Sequence, residues 1–126
     1  MRHHDRNRKL GREKRQRVAL LRGLARSLIL HEGITTTEAK AKALRPFVER
    51  LVTAAKSDSL SGTRRVATRL AGEEARGKLK ELAKRYKKRT GGYTRITRLQ
   101  RVGKRVGSMS RIEFISAEGG SSSGGK

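Results

Sequence analysis

The sequence predicts an α+β fold of two layers. A small three-stranded mixed sheet packs on helices in the order helix, strand, three helices, two strands, behind a disordered basic N-terminal arm. Three observations point there. Apolar residues recur at helical spacing in four segments, β-branched residues gather in three short runs, and basic residues concentrate in two places. A chain of 126 residues suffices for one domain. With 33% apolar residues, two Phe, two Tyr and no Trp, its core is small. The expected division is a basic arm at 1–17, a globular domain at 18–116 and a flexible Gly/Ser tail at 117–126.

The arm carries eight Lys or Arg residues against Asp5 and Glu13, and only Met1 and Leu10 are apolar. Such a segment lacks the burial energy to fold alone. From about residue 15 to 31, Val18, Leu21, Leu24, Ala25 and Leu28 form a helical stripe, with Gly33 expected as the C-terminal cap. Ile34-Thr35-Thr36-Thr37 reads as a strand. It feeds a second helix running to about residue 56, for which either Thr35 (with Glu38, at capping-box spacing) or Thr37 could be the cap. Leu44, Phe47, Val48, Leu51, Val52 and Ala55 are its buried side, and Pro46 inside it predicts a kink or restart. Asp58 is the expected cap of a shorter third helix reaching about residue 70, with Val66 and Leu70 inward and Arg64, Arg65 and Arg69 outward. A fourth helix is expected over about 73–88, with Ala75, Leu79, Leu82, Ala83 and Tyr86 on one stripe, stopped by Gly91-Gly92. Strands at 93–102 and 109–116 then form a hairpin with a basic tip.

The formal net charge is +22. Of this, the arm and the segment from 76 to 105 hold +6 and +12, the latter having thirteen bases and a single acid, Glu81. A compact domain so cationic repels itself and calls for a polyanion. No cysteine is present, which excludes disulfides, thiolate chemistry and Cys-based zinc sites. The N-terminus has no apolar run of a secretion signal, and 18–30, the most apolar window, is broken by Arg22 and Arg26. These features predict a cytoplasmic protein with no membrane partner.

His3-His4-Asp5 could chelate copper or nickel as a peptide, but arginines surround it and phosphate contact is the better reading, so no metal is expected. Gly91-Gly92 follows a helix and precedes a strand, the reverse of a phosphate-cradling nucleotide loop. No Ser/His/acid set or carboxylate pair has catalytic spacing, and no cofactor or small-molecule substrate is implied. With 3% aromatics, single-strand stacking is also disfavoured. What remains is neutralisation of phosphates and recognition of the shape of a folded RNA. The candidate contacts are Arg2, His3, His4, Arg6, Arg8, Lys9, Arg12, Lys14, Arg15 and Arg17 in the arm. Lys40, Lys42 and Arg45 follow on the second helix, where a phosphate on the free amides would offset cations at a helix N-terminus. Tyr93, Thr94, Arg95, Arg98, Arg101, Lys104 and Arg105 complete the set on the hairpin, Tyr93 being equally suited to packing on the sheet.

Several stretches carry a resemblance. Met1-Arg2-His3, Asn7-Arg8-Lys9-Leu10-Gly11-Arg12, Ala25-Arg26-Ser27-Leu28, His31-Glu32-Gly33-Ile34-Thr35-Thr36-Thr37-Glu38-Ala39-Lys40-Ala41-Lys42 and Gly91-Gly92-Tyr93-Thr94-Arg95-Ile96 stand in the order of bacterial large-subunit ribosomal protein L-seventeen. From residue 1 to about 116 the chain resembles that family. The resemblance implies a structural, non-enzymatic constituent of the large ribosomal subunit bound to its ribosomal RNA and supporting translation. It also implies a place on the solvent side near the peptide exit region, beside ribosomal proteins such as L-twenty-two and L-thirty-two. By position it assigns RNA contact to the arm, to Lys40 and Lys42, and to Tyr93-Thr94-Arg95. The chain departs from the family at Gln16, where His is frequent, and at Val106-Gly107-Ser108, where an acidic, proline-containing turn is usual. The alternatives are a DNA-compacting nucleoid protein and an RNA-modifying enzyme.

Overall fold

The computed structural model describes residues 13–57, 59–99 and 108–116. The elements are α1 (Lys14–His31), β1 (Gly33–Thr37), α2 (Glu38–Lys56), α3 (Leu60–Arg69), α4 (Glu73–Arg85), β2 (Thr94–Arg98) and β3 (Met109–Phe114). The element order is the expected one, and the helices cover one face of a three-stranded sheet. The sheet is antiparallel throughout, not mixed: β3 lies in the centre, between β1 and β2. Three helices separate β1 from the hairpin, and so long a connection leaves the direction of β1 open in the sequence.

Register decides which side chains reach the core. Ile34, Ile112 and Ile96 stand opposite one another across the three strands, and this row faces the helices. Ser110, Ile112 and Phe114 alternate inward along β3, whereas Arg111 points to solvent and Glu113 is half-buried on the same outer face. Against this face pack Ala25, Leu28 and Ile29 of α1, Ala41, Leu44, Val48, Leu51 and Val52 of α2, and Leu79 and Leu82 of α4. Three of the four aromatic side chains meet at one end of the core. The Tyr86 ring lies 5.3 Å from Tyr93 and 6.3 Å from Phe114, centroid to centroid.

Local chemistry sets the helix ends. Thr37 is the cap of α2, its hydroxyl accepting from the Lys40 amide at 3.3 Å, and α2 runs through Pro46 without restarting. Ser59 caps α3 by accepting from the Gly62 amide at 3.1 Å, while the expected cap, Asp58, lies outside the described residues. Gly62 is buried because α3 starts against the end of α2. A Cβ there would stand 2.4 Å from the Ala54 carbonyl oxygen.

Two helix ends differ from expectation. At the end of α1 the left-handed residue is Glu32 (φ 64°), and Gly33 is already the first residue of β1. Bonds to four residues hold Glu32 there. Its amide donates to the Leu28 carbonyl at 2.7 Å, its carbonyl accepts from the Phe114 amide at 3.0 Å, and its carboxylate takes Lys78 at 2.6 Å and Arg85 at 2.7 Å. α4 stops at Arg85, well before Gly91-Gly92, because Tyr86 leaves helical geometry and turns its ring into the aromatic group. The Tyr86 hydroxyl donates to the Ile115 carbonyl. Gly92 (φ 63°) instead lets the chain turn into β2, which spans Thr94–Arg98, while 100–102 of the expected strand lie outside the described residues.

Arg85 and Lys78 hold the Glu32 carboxyl at about 2, far below its ordinary 4.5. A depressed carboxylate stabilises the fold fully above its ordinary value, and that stabilisation is lost as pH falls towards 2. Thermal melts should therefore drop between pH 5 and 2. Glu32→Gln should lower the melting temperature at pH 7 and flatten this acid limb; an unchanged limb would remove Glu32 from its cause.

Candidate nucleic-acid interface

The expected contacts distribute unevenly. Arg2, His3, His4, Arg6, Arg8, Lys9 and Arg12, and the hairpin-tip residues Arg101, Lys104 and Arg105, lie outside the described residues. Lys14, Arg15 and Arg17 belong to α1, so its helix begins inside the segment expected to be an arm. The first turn of α1 holds no acid, and these cations therefore oppose its dipole.

Tyr93 and Thr94 are not surface groups. Tyr93 is fully buried, and its hydroxyl is shared by Thr53 Oγ1 at 3.1 Å and Lys56 Nζ at 3.0 Å. Lys56 also caps the Arg89 carbonyl and lies 5.0 Å from the Tyr93 ring centre. Thr94 donates its hydroxyl to Glu49 at 3.0 Å. Thr94, the first residue of β2, lies on the inward side with Ile96, whereas Tyr93 precedes the strand and its ring turns in against Tyr86 and the end of α2, which the sequence alone does not reveal. They are the bolts of the hairpin on α2, and their side chains have no surface to offer an RNA.

Three of the expected cations converge. Glu38, Lys42 and Arg45 follow one stripe of α2, spaced i, i+4, i+7. With Ile96, Arg98 and Ser110 they line an open crevice of about 460 Å³ between α2 and the sheet. Glu38 accepts from Lys42 at 3.0 Å and from Arg98 at 2.9 Å, and these two cations pull its carboxyl below the ordinary range. Arg45 Nε is 3.6 Å from Glu49. The free amide cradle expected at the start of α2 is absent at two positions, since Glu38 donates to Ser108 and Lys40 to Thr37. The Glu38 and Lys40 amides are thus taken, and the nearby cationic side chains are the stronger holders for an anion. Arg95 lies on the outer face of the sheet, bound to Glu113 at 2.8 Å, with Arg111 at 3.0 Å from the same carboxylate.

A second basic surface was not among the expected contacts. Arg50 of α2 and Arg65 and Arg69 of α3 line a groove of about 740 Å³ that also includes Ser57, Ser59, Ser61 and Thr90. The signal was present as the i, i+4 pair Arg65 and Arg69, but its meeting with Arg50 depends on helix packing. Conversely, Lys78 and Arg85 from the most basic segment are engaged by Glu32. Among the described residues no His, Asp and Glu side chains gather as a metal site, and no helix is long and apolar enough to cross a membrane.

Residues 20–115 match the family model for Ribosomal protein L17. The chain belongs to the ribosomal protein L17 family. A relative from Hydrogenobaculum, named large ribosomal subunit protein bL17, is 55% identical over 100 residues, covering 79% of this chain and 85% of its own. Relatives of the same name from Sphingopyxis alaskensis and Gemmatimonas aurantiaca are 46% and 49% identical. The first covers 95% of this chain and 87% of its own, the second 91% and 98%. The L17 family is one of structural ribosomal proteins and not of enzymes.

The burial of Tyr93 yields a test. Tyr93→Phe removes two side-chain hydrogen bonds and should cost about 1 kcal/mol of stability. RNA affinity of the folded protein should stay within about twofold of wild type in a filter-binding assay. A large loss of affinity at full folding would return Tyr93 to the interface.

Proposed function

We propose that this protein is a structural constituent of the large ribosomal subunit, in the cytoplasm, that binds folded large-subunit ribosomal RNA and so supports translation. The observation that carries this reading is the L17 family match across 20–115. The charge agrees with it: 33 Lys and Arg face 11 acids, and the acids at positions 32, 38, 49 and 113 are occupied inside the fold. RNA phosphates are the natural counterions for the remainder.

The mode we infer is phosphate and shape contact. The arm at 1–12, the α2 crevice with Lys42, Arg45 and Arg98, the outer sheet face with Arg95, and the hairpin tip with Arg101, Lys104 and Arg105 are its contact regions. Neighbouring large-subunit proteins, with L-twenty-two and L-thirty-two as the candidates, would complete its surroundings on the solvent side near the peptide exit.

The direct test is sedimentation of cell extract through a high-salt gradient. The protein should travel with large subunits. Recovery at the top of the gradient, or with nucleoid DNA, would overturn the assignment. Removal of residues 1–12, which leaves α1 intact, should weaken binding to large-subunit RNA and make it less salt-dependent. Unchanged binding would exclude the arm from the interface.

A further inference from the structure

Ser110 is fully buried, and its Oγ is the side-chain atom that stands without a hydrogen-bond partner among the buried described groups. Burying an unsatisfied hydroxyl costs free energy, so such a group calls for an explanation. Ser110 is in register with Arg98 on β2 and with Thr36 on β1, on the face that meets α2. It also lines the crevice into which Glu38, Lys42 and Arg45 project from α2. Three cations thus surround one cavity that Ser110, itself without exposed surface, helps to line, with Glu38 as the carboxylate that bridges Lys42 and Arg98 and with Glu49 beside Arg45.

We propose that this crevice is a phosphate seat for one phosphodiester group of RNA, with Ser110 as its neutral donor. This rests on the RNA-binding reading above. Arg98 and Lys42 pass from Glu38 to the phosphate, Arg45 adds charge from the next turn of α2, and the Ser110 hydroxyl donates to a phosphate oxygen at the floor. The cavity of about 460 Å³ is ample for a phosphate and too polar for an apolar ligand. In the free protein Glu38 takes the place of the phosphate, holding the two cations in position and keeping their repulsion in check. Glu38 is therefore a competitor for the ligand's place as well as a link between α2 and β2.

The test compares the full chain and three variants for binding to large-subunit ribosomal RNA at several salt concentrations. Arg98→Ala should reduce the log–log salt slope by about 0.7–0.9, the value of one phosphate contact. Ser110→Ala should weaken binding by about three- to tenfold with the slope unchanged, as expected for one neutral donor. Glu38→Gln should tighten binding several-fold. If Ser110→Ala binds as well as wild type and Glu38→Gln is no tighter, the crevice is not a phosphate seat, even though the protein binds RNA. If wild type does not bind the RNA, the functional reading fails, and inorganic phosphate becomes the probe of the crevice itself. Saturable shifts of the Ser110 and Lys42 amide resonances that vanish in Arg98→Ala then support the seat, and their absence overturns it.

Discussion

Glu32 is the residue on which the two layers depend. It ends α1 in a left-handed conformation, accepts a hydrogen bond from β3 and binds two cations of α4. A side chain at positive φ is uncommon outside glycine, and simultaneous bonds to four residues explain why a glutamate holds it here. Without that corner β1 loses its angle to α1, and the end of β3 loses its anchor beside α1. The pair of α4 cations also matters because α4 carries Arg76, Lys78, Lys80, Lys84 and Arg85 against Glu73, Glu74 and Glu81, and Glu32 adds a further acid beside Lys78 and Arg85.

The same principle recurs at the other acids. Glu38 joins α2 to β2, Glu49 joins α2 to the start of β2, and Glu113 joins β3 to Arg95. Each of these links crosses between elements. Individually, exposed ion pairs contribute little, about 0–1 kcal/mol. Their value here lies in position: in a chain with a net charge of +22, they place negative charge where cationic elements must approach one another. The aromatic group and the isoleucine row supply the cohesion, and the glutamates direct which faces come together. The cations left on the outside then form surfaces suited to a polyanion.

Much of this was legible in the sequence. The stripe 75, 79, 82, 83 and 86 is buried at every position, and α2 ends at Lys56 where its apolar pattern stops. The motif from His31 to Lys42 marks the α1–β1–α2 passage. What escaped depends on partners distant in the chain. Gly33 suits a helix cap by type, yet Glu32 takes the role because Lys78 and Arg85, more than forty residues away, hold its side chain. For Tyr93 the sequence leaves RNA contact and packing equally open, and Thr53, Lys56 and Tyr86, distant in the chain, settle its burial. The orphan hydroxyl of Ser110 and the groove of Arg50, Arg65 and Arg69 exist only after packing.

The proposed role makes the surplus positive charge the binding determinant for a folded RNA. The most direct measurement is the affinity of the full chain for large-subunit ribosomal RNA across a salt series, beside duplex DNA of equal length. If about ten phosphates are neutralised, the log–log slope is roughly −7 to −9, with the folded RNA bound more tightly than the DNA at every salt concentration. A slope near −2, or equal affinity for the two, would contradict the account.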